Sequence, residues 1–447
     1  MNSLLQSLWL ALGFQPVILW SDLLIYLLLG GGSAWLIFAL RREDWQVALR
    51  QVAANRMAMI SFCLLGCYAT VGLLDTLHFR VVSPSTPTGE SIQSVLDRLC
   101  APLVRGTEKT YSAPFATHLF VKETIQTPDG REIRDYPRLQ HAGNHLLNPD
   151  DKWSDISKRI LIGLGWGLGS GVVLLFITLW YGKRPWLGVF MLVVSVVIAE
   201  AIVLSQGYHI LGTDKTGQDV FYLTLKSIRT GLIIGTLTTL IVTPFAILCG
   251  VLAGYVGGWI DDVIQYVYST LDSIPDILLI AAAMLIFQVG LKEEETIISA
   301  DKRLIYLCVI MGITSWTGLC RLIRAEVLKL REVEYVQAAD AFGVSRGRIM
   351  LQHLVPNVMH IVLISIVLRF SGLVLAEAVL AYVGIGVDPS MQSWGNLINQ
   401  ARLELARDPV VWWNLFAAFV FMLGLVLPAN LFGDAVRDAL DPRLRTR

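Results

Sequence analysis

Few side chains in this sequence are spaced for covalent chemistry. His141 and His145 have the HxxxH interval by which one helix face offers two imidazoles to a metal. Gly143 and Asn144 stand between them and argue against a helix, which weakens the metal reading. Gly182-Lys183 is the one Gly-Lys pair, and it lacks the leading glycine of the phosphate-binding G-x-x-x-x-G-K-[ST] loop. No HExxH occurs. Cys63, Cys67, Cys249, Cys308 and Cys320 lie in or beside apolar stretches, where a small thiol packs as a hydrophobe; Cys100 stands alone in a polar region. Glu200 and Glu377 are acids inside apolar runs; pairing within a helix bundle is their first reading, a proton relay or a path lining the second. The chain therefore reads as non-catalytic and free of cofactor, so any energy it uses must arrive from another protein.

The elements that hold these residues are set by the solvent they face. Of 447 residues, 54% are hydrophobic and 16% are charged. Soluble globular chains carry about 25% charge. That shortage points to a bilayer. With 36 basic and 36 acidic residues the formal charge is zero, so no global attraction to nucleic acid exists.

Apolar runs long enough to cross a hydrocarbon layer, which takes about 20 helical residues, fall at 17–40, 57–77, 160–181 and 186–204. Further runs lie at 230–254, 262–290, 304–320, 358–385 and 410–432. The uncharged segment before the first run suits an interface, and a cleaved signal is a poor fit because the basic residues follow the run. Arg41, Arg42, Arg50 and Arg56, then Lys183 and Arg184, then the arginines of 321–348 and of the tail all mark cytoplasmic sides. Glu293, Glu294, Glu295 and Asp301 mark an outer loop. The expectation is an all-α polytopic protein of about nine spans, its C-terminus cytoplasmic.

Residues 78–157 form a polar interruption, expected to be a small α/β extracytoplasmic insert. Ile92, Val95, Leu96 and Leu99 give a helix pattern, and 117–127 with 131–134 give two strands about a Pro-Asp-Gly turn. After the fourth run, Leu211 to Phe221 is rich in turn and cap residues, enough to start a helix lying along the membrane. Gly250 and Gly254 offer a small face for close helix contact.

The stretch from Arg331 to Asn357 reads as two short helices hinged at a glycine. Tyr335, Ala338, Ala339 and Phe342 recur at i, i+3, i+4 and i+7 and share one face. Gly343 falls where a helix ends left-handed, and Ser345 where an N-cap hydroxyl belongs. Ile349 and His353 continue the second helix, and Pro356 stops or kinks it. An ordinary helical hairpin, a DNA-binding helix-turn-helix and a coupling element pushed by a soluble motor all fit this pattern. A short tether between two spans leaves no third helix to build a DNA-binding core.

Glu334-Tyr335-Val336, Ala338-Ala339, Ala341-Phe342-Gly343, Ser345, Ile349, His353 and Pro356-Asn357 resemble the EAA loop of ABC-transporter permeases of the dipeptide/oligopeptide (peptide/nickel) import family. The resemblance extends from Leu211-Gly212-Thr213-Asp214 and Asp219, through Gly257-Gly258-Trp259, to Ser393-Trp394-Gly395-Asn396 and Leu440-Asp441-Pro442-Arg443. It covers about residues 206–447. Gln337 departs from the loop's namesake glutamate, Gln218 stands where arginine is usual, and the parts before residue 205 lie outside the pattern.

The resemblance implies a type I importer permease core over 206–447, preceded by two spans in 1–77, the insert at 78–157 and two more spans in 158–205. It implies a second permease chain, cytoplasmic ATPase subunits beneath and an extracytoplasmic solute-binding protein above. Glu334, Tyr335, Ala338, Ala339, Phe342, Gly343, Ser345, Ile349 and Pro356 of the cytoplasmic loop 321–357 would couple to the ATPase. Asp214, Asp219, Trp394 and Asn396 would be outer-face contacts. Two other classes are a transporter or channel needing no motor, whose paired broken helices in inverted halves are not evident, and a membrane sensor using the insert.

Overall fold

The computed structural model describes residues 14–41, 43–81, 92–126, 132–148, 151–182, 185–290 and 297–440. Arg42, Lys183, Arg184, Glu293 to Glu295, the Pro128-Asp129-Gly130 turn and the tail from Asp441 lie outside them. In chain order the described elements begin with β1 (Phe14–Val17), α1 (Trp20–Ala39), α2 (Glu43–Ala54), α3 (Arg56–Thr76), β2 (His78–Val81), β3 (Ile92–Ser94), α4 (Val95–Leu99) and α5 (Ala101–Arg105). Next come β4 (Glu123–Gln126), β5 (Glu132–Asp135), α6 (Lys152–Gly182), α7 (Pro185–Ser205), α8 (Val220–Val256), α9 (Gly258–Asp272) and α10 (Asp276–Gly290). The chain continues through α11 (Ile297–Thr314), α12 (Thr317–Leu330), α13 (Glu334–Ala341), α14 (Arg346–Ile349), α15 (Val355–Tyr382), α16 (Trp394–Glu404) and α17 (Trp413–Leu440).

Six of these helices are long and apolar enough to cross a membrane, or eight spans if two bent pairs count as one each. The helix α1, in the first of the nine expected runs, has 20 residues and is not among those eight. Two expected single spans are broken. The run at 262–290 divides into α9 and α10, bent by 89°. Pro275 supplies no amide and disfavours helical geometry at Ile274 before it, so the ladder cannot pass. The run at 304–320 divides into α11 and α12 at a 41° bend. There the Arg369 guanidinium donates to the carbonyl of Ser315, one of the acceptors that the break leaves without a helical donor.

The chain forms two compact units, residues 1–17, 70–229 and 392–423 making the first, and 18–69, 230–391 and 424–447 the second. In the second unit, a cluster around Val242, Tyr268, Ile323, Val327, Val336, Ile349 and Leu354 joins α8, α9, α12 and the hinged stretch. A Cβ added at Gly250 would lie 2.8 Å from the Ile323 Cβ, and one at Gly254 2.8 Å from the Val327 Cβ. The expected small-residue face is therefore the seam between α8 and α12. Overpacking costs about 1–3 kcal/mol, so Gly250→Leu should lower the thermal midpoint of the purified protein by several degrees. Gly169→Leu is the control, because nothing lies within 4 Å of a Cβ there; equal midpoints for the two variants would contradict the seam.

In the first unit, β1, β2 and β3 form an antiparallel sheet, and β4 and β5 an antiparallel pair. The β4–β5 pair matches the expected hairpin. Ile92, read as helical, belongs to a strand instead, because Ser94 starts α4 with a reciprocal capping box to Asp97. The apolar segment ending at Val17 supplies strand β1 against β2, which periodicity did not reveal. Gly163, Gly167 and Gly171 of α6 face α7, where an added Cβ would meet Glu200, Val196 and Ser195 at 2.5–2.7 Å. The Glu200 carboxylate thus lies on a bare helix backbone, its oxygens without a hydrogen bond among the described residues.

The segment from Leu211 forms no separate surface helix. Asp219 caps α8 directly, its carboxylate accepting from the Tyr222 amide at 3.1 Å, and 37 residues follow without interruption. Along α8 the hydroxyls of Thr224, Ser227, Thr236, Thr239 and Thr243 each donate to the carbonyl four residues back, at 2.6–3.0 Å. Polar side chains are thereby satisfied within a single helix, which a lipid environment demands.

Candidate functional site

The hinged stretch is built from its backbone outward. Helix α13 ends at Gly343, whose φ is +76°. The Gly343 amide donates to the Asp340 carbonyl at 2.9 Å and the Val344 amide to the Ala339 carbonyl at 3.1 Å. These two bonds make a Schellman ending, which needs a left-handed residue at this position. An added Cβ would meet nothing within 4 Å, so the demand for glycine is conformational and not a matter of space. Ser345 does start α14, but with its carbonyl: the amides of Arg348 and Ile349 donate to it at 2.9 and 3.1 Å, and its hydroxyl makes no cap bond.

Pro356 neither stops the helix nor ends the run. A wide π turn, Met350–Leu354, precedes it, and helix continues through Tyr382. The wider turn accommodates a residue with no amide and a ring that would otherwise strike a carbonyl one turn earlier.

The two short helices present opposite characters. Val336 and Ile349 are 1% and 0% exposed and sink into the cluster with Ile323 and Val327. Ile349 is therefore no part of the expected coupling surface; its place is the root of the loop, a role shared by Val336, which the sequence pattern does not single out. Phe342 is 88% exposed and Tyr335 43%, with Glu334 and Ala338 exposed beside them. Ala339 is half-buried and packs against the cluster. Tyr335 is steadied at its hydroxyl, which accepts from Asn357 Nδ2 at 3.0 Å. Beneath the loop, Arg324 of α12 grips Asp261 of α9 with two bonds, Nε to Oδ1 at 2.6 Å and Nη2 to Oδ2 at 2.7 Å. That fork fixes the angle between the helices on which the loop stands.

A second polar assembly lies in the first unit. Glu108 accepts from the backbone amides of Gln140 and His141 at 2.8 Å and of Ala142 at 3.1 Å. Buried His209 sets Nδ1 2.6 Å from Asp219 and Nε2 3.7 Å from Glu108. Burial works against charge on both groups. For Glu108, the His209 contact and the three amides outweigh it and hold the carboxyl at about 2. For His209, the two carboxylates outweigh it and lift the imidazole to about 9, so the ring is cationic at neutral pH. His141 and His145 diverge: the first lies 3.8 Å from Glu108, the second 2.7 Å from Asp155.

Three of the four residues expected on the outer face lie inside the fold instead. Asp214, Asp219 and Trp394 are 5%, 0% and 2% exposed. Asp214 folds its own turn, accepting from Thr216 and Gln218 amides at 2.8 and 2.9 Å. The Trp394 indole donates to the Thr224 carbonyl at 3.2 Å. They shape the segment from within, and of the four only Asn396 is partly exposed. Turn chemistry is enough to account for the two aspartates.

Apolar helices of membrane-spanning length carrying a rooted, hinged loop define a polytopic α-helical membrane protein. The family described as "Binding-protein-dependent transport system inner membrane component" matches residues 246–446. The chain is 30% identical over 294 residues to the oligopeptide transport system permease protein OppC of Haemophilus influenzae, covering 66% of this chain and 89% of that protein. It is 30% identical over 303 residues to the dipeptide transport system permease protein DppC of Bacillus subtilis, covering 67% and 87%. An OppC of Mycobacterium bovis is 35% identical over 238 residues, 53% of this chain and 77% of that one. The chain belongs to this family of ABC importer permeases. It is a non-catalytic, multi-pass inner-membrane subunit that forms a transport pathway, and ATP hydrolysis resides in a separate partner.

Proposed function

We propose that the chain forms one half of the pathway of an importer for peptides or similar small solutes, completed by a second permease chain. Residues 206–447 are its transport core, and the preceding spans with the polar segment 78–157 are additions to it. The loop 321–357 faces the cytoplasm, as does the C-terminus, and fits a groove of the ATPase; the solute-binding protein approaches from the other side. Peptide cargo is supported by the relatives, which are oligopeptide and dipeptide transport permeases.

The observation that carries the reading is the exposure of Phe342, at 88%, on a helix whose root residue Val336 is at 1%. A large aromatic held out by a rigid base is a contact anchor of the kind that fills a partner's pocket. ATP-driven closure of the partner would carry the loop as one body and tilt the spans attached to it. Phe342→Glu should reduce recovery of the ATPase with the purified permease at least tenfold and lower uptake equally, at unchanged permease abundance in the membrane. Full recovery of the ATPase with that variant would refute the assignment.

A further inference from the structure

A charge stands in the middle of the spanning helix α15. Arg369 lies at the centre of its 28 residues, and a guanidinium keeps its charge in proteins. Its Nη1 donates to the Ser315 carbonyl at the break between α11 and α12, and a Cβ added at Gly318 would come within 2.9 Å of its Nη2. The head group is thus held in the bend by a carbonyl, over a residue without a side chain. A carbonyl satisfies one of the five N–H donors and brings no opposite charge. Among the described residues Arg369 forms no ion pair.

The acid whose charge acts on Arg369 is Asp276, exposed in the first turn of α10, at the other helix break. Packing places the two on facing helices. Ile280 of α10 and Leu373 of α15 are buried in one cluster. Asp276 and Arg369 each precede one of these by four residues, so each lies one turn back on the same face. By the charge topology both helices run outward, so the two steps go the same way. Next to Arg369, the residues Leu368, Gly372, Leu375 and Val379 are exposed at i, i+4, i+7 and i+11. The arginine therefore flanks a face of α15 that this chain leaves uncovered. Broken helices and charges at membrane depth are tolerated where they line a path for polar cargo, and here both fall in one group of residues.

Resting on the importer reading, we propose that Arg369 and Asp276 form a cargo site in the pathway for zwitterionic peptides. The guanidinium takes the C-terminal carboxylate and the aspartate the N-terminal ammonium. A short peptide carries one charge of each sign at opposite ends, which matches an arginine and an aspartate that do not neutralise one another. The fork of an arginine suits a carboxylate, and the Ser315 bond orients that fork without consuming it.

The test measures displacement of radiolabelled trialanine from the whole complex in nanodiscs with no solute-binding protein present, so that only the permease's preference is read. Unlabelled trialanine should displace the label at a concentration at least tenfold lower than its C-terminal amide, and at least tenfold lower than N-acetyl-trialanine. Arg369→Gln should weaken trialanine to the level of the amide, the amide's own affinity staying within about twofold. Asp276→Asn should remove the preference over the acetylated peptide instead. Arg369→Lys should keep part of the preference, since the charge remains and the fork is lost. Equal displacement by acid and amide in the unaltered complex overturns the proposal, as does failure of that complex to bind trialanine. So does an Arg369→Gln protein whose thermal midpoint falls while its preference stays, which would make the arginine a prop of the bend alone. Should the glutamine variant not fold, Asp276→Asn decides, and a preference kept there overturns the site. ATP-driven uptake of mixed di- to pentapeptides is measured in proteoliposomes with the solute-binding protein. Its absence in the unaltered complex fails the importer reading, a result distinct from uptake without the preference.

Discussion

Gly343→Val is expected to abolish coupled uptake while leaving the membrane helices folded. The position has φ +76° with open space around it. Valine would therefore not clash with a neighbour; it would resist the backbone conformation. A left-handed residue other than glycine costs about 1–2 kcal/mol, and more when β-branched. The cheaper escape is to abandon the Schellman bonds and rotate α13 away from α14, which moves Phe342 while Val336 and Ile349 stay rooted. Uptake should fall at least tenfold, ATP hydrolysis should persist without stimulation by cargo, and the thermal midpoint should shift by only a few degrees. Gly343→Asn should retain much of the uptake, because asparagine tolerates the left-handed region. Equal activity of the valine and wild-type proteins would remove the hinge from the mechanism.

Glu108→Ala should cause the largest loss of local stability. It leaves three backbone amides without their acceptor and takes one of two carboxylates from a buried imidazolium that keeps Asp219, and an unsatisfied buried donor costs about 1–3 kcal/mol. Limited proteolysis should then cut within residues 92–148, where the unaltered protein should resist it. The pH dependence has a fixed sign. The His209 pKa is raised from 6.5 to about 9, so its contribution is complete below 6.5 and is lost as pH climbs to 9. The Glu108 pKa is lowered from 4.5 to about 2, so its contribution is complete above 4.5 and is lost as pH falls to 2. Each shift corresponds to about 3 kcal/mol, and the two share one contact, so they do not add. Resistance to protease should peak between pH 4.5 and 6.5 and weaken towards pH 9. His209→Ala should erase the alkaline decline; an unchanged profile in that variant would contradict the pairing.

What could be read from sequence was local. The periodicity of Tyr335, Ala338 and Phe342 and the glycine after them fix the first helix of the loop and its ending, since both depend on neighbours a few residues away. Which side of that helix faces inward was not legible, because small side chains and two aromatics suit either environment; Val336 decided it by reaching the Ile323 cluster. Pro275 announced an interruption, but a proline alone does not state an angle of 89°. The Glu108–His209–Asp219 assembly left no local trace: its members sit in separate segments that only the folded chain brings together. Asp214 and Asp219 read as turn and cap residues, and such residues are as readily buried as displayed on a surface.

Because Val336 and Ile349 are seated in one cluster with residues of both α12 and α15, the loop has no slack at its base. Displacement applied at Phe342 reaches the helix before it and the helix after it together, as in a linkage with a single degree of freedom. Distance probes on α12 and α15 should therefore change in the same kinetic step, with no interval in which one helix has moved and the other waits.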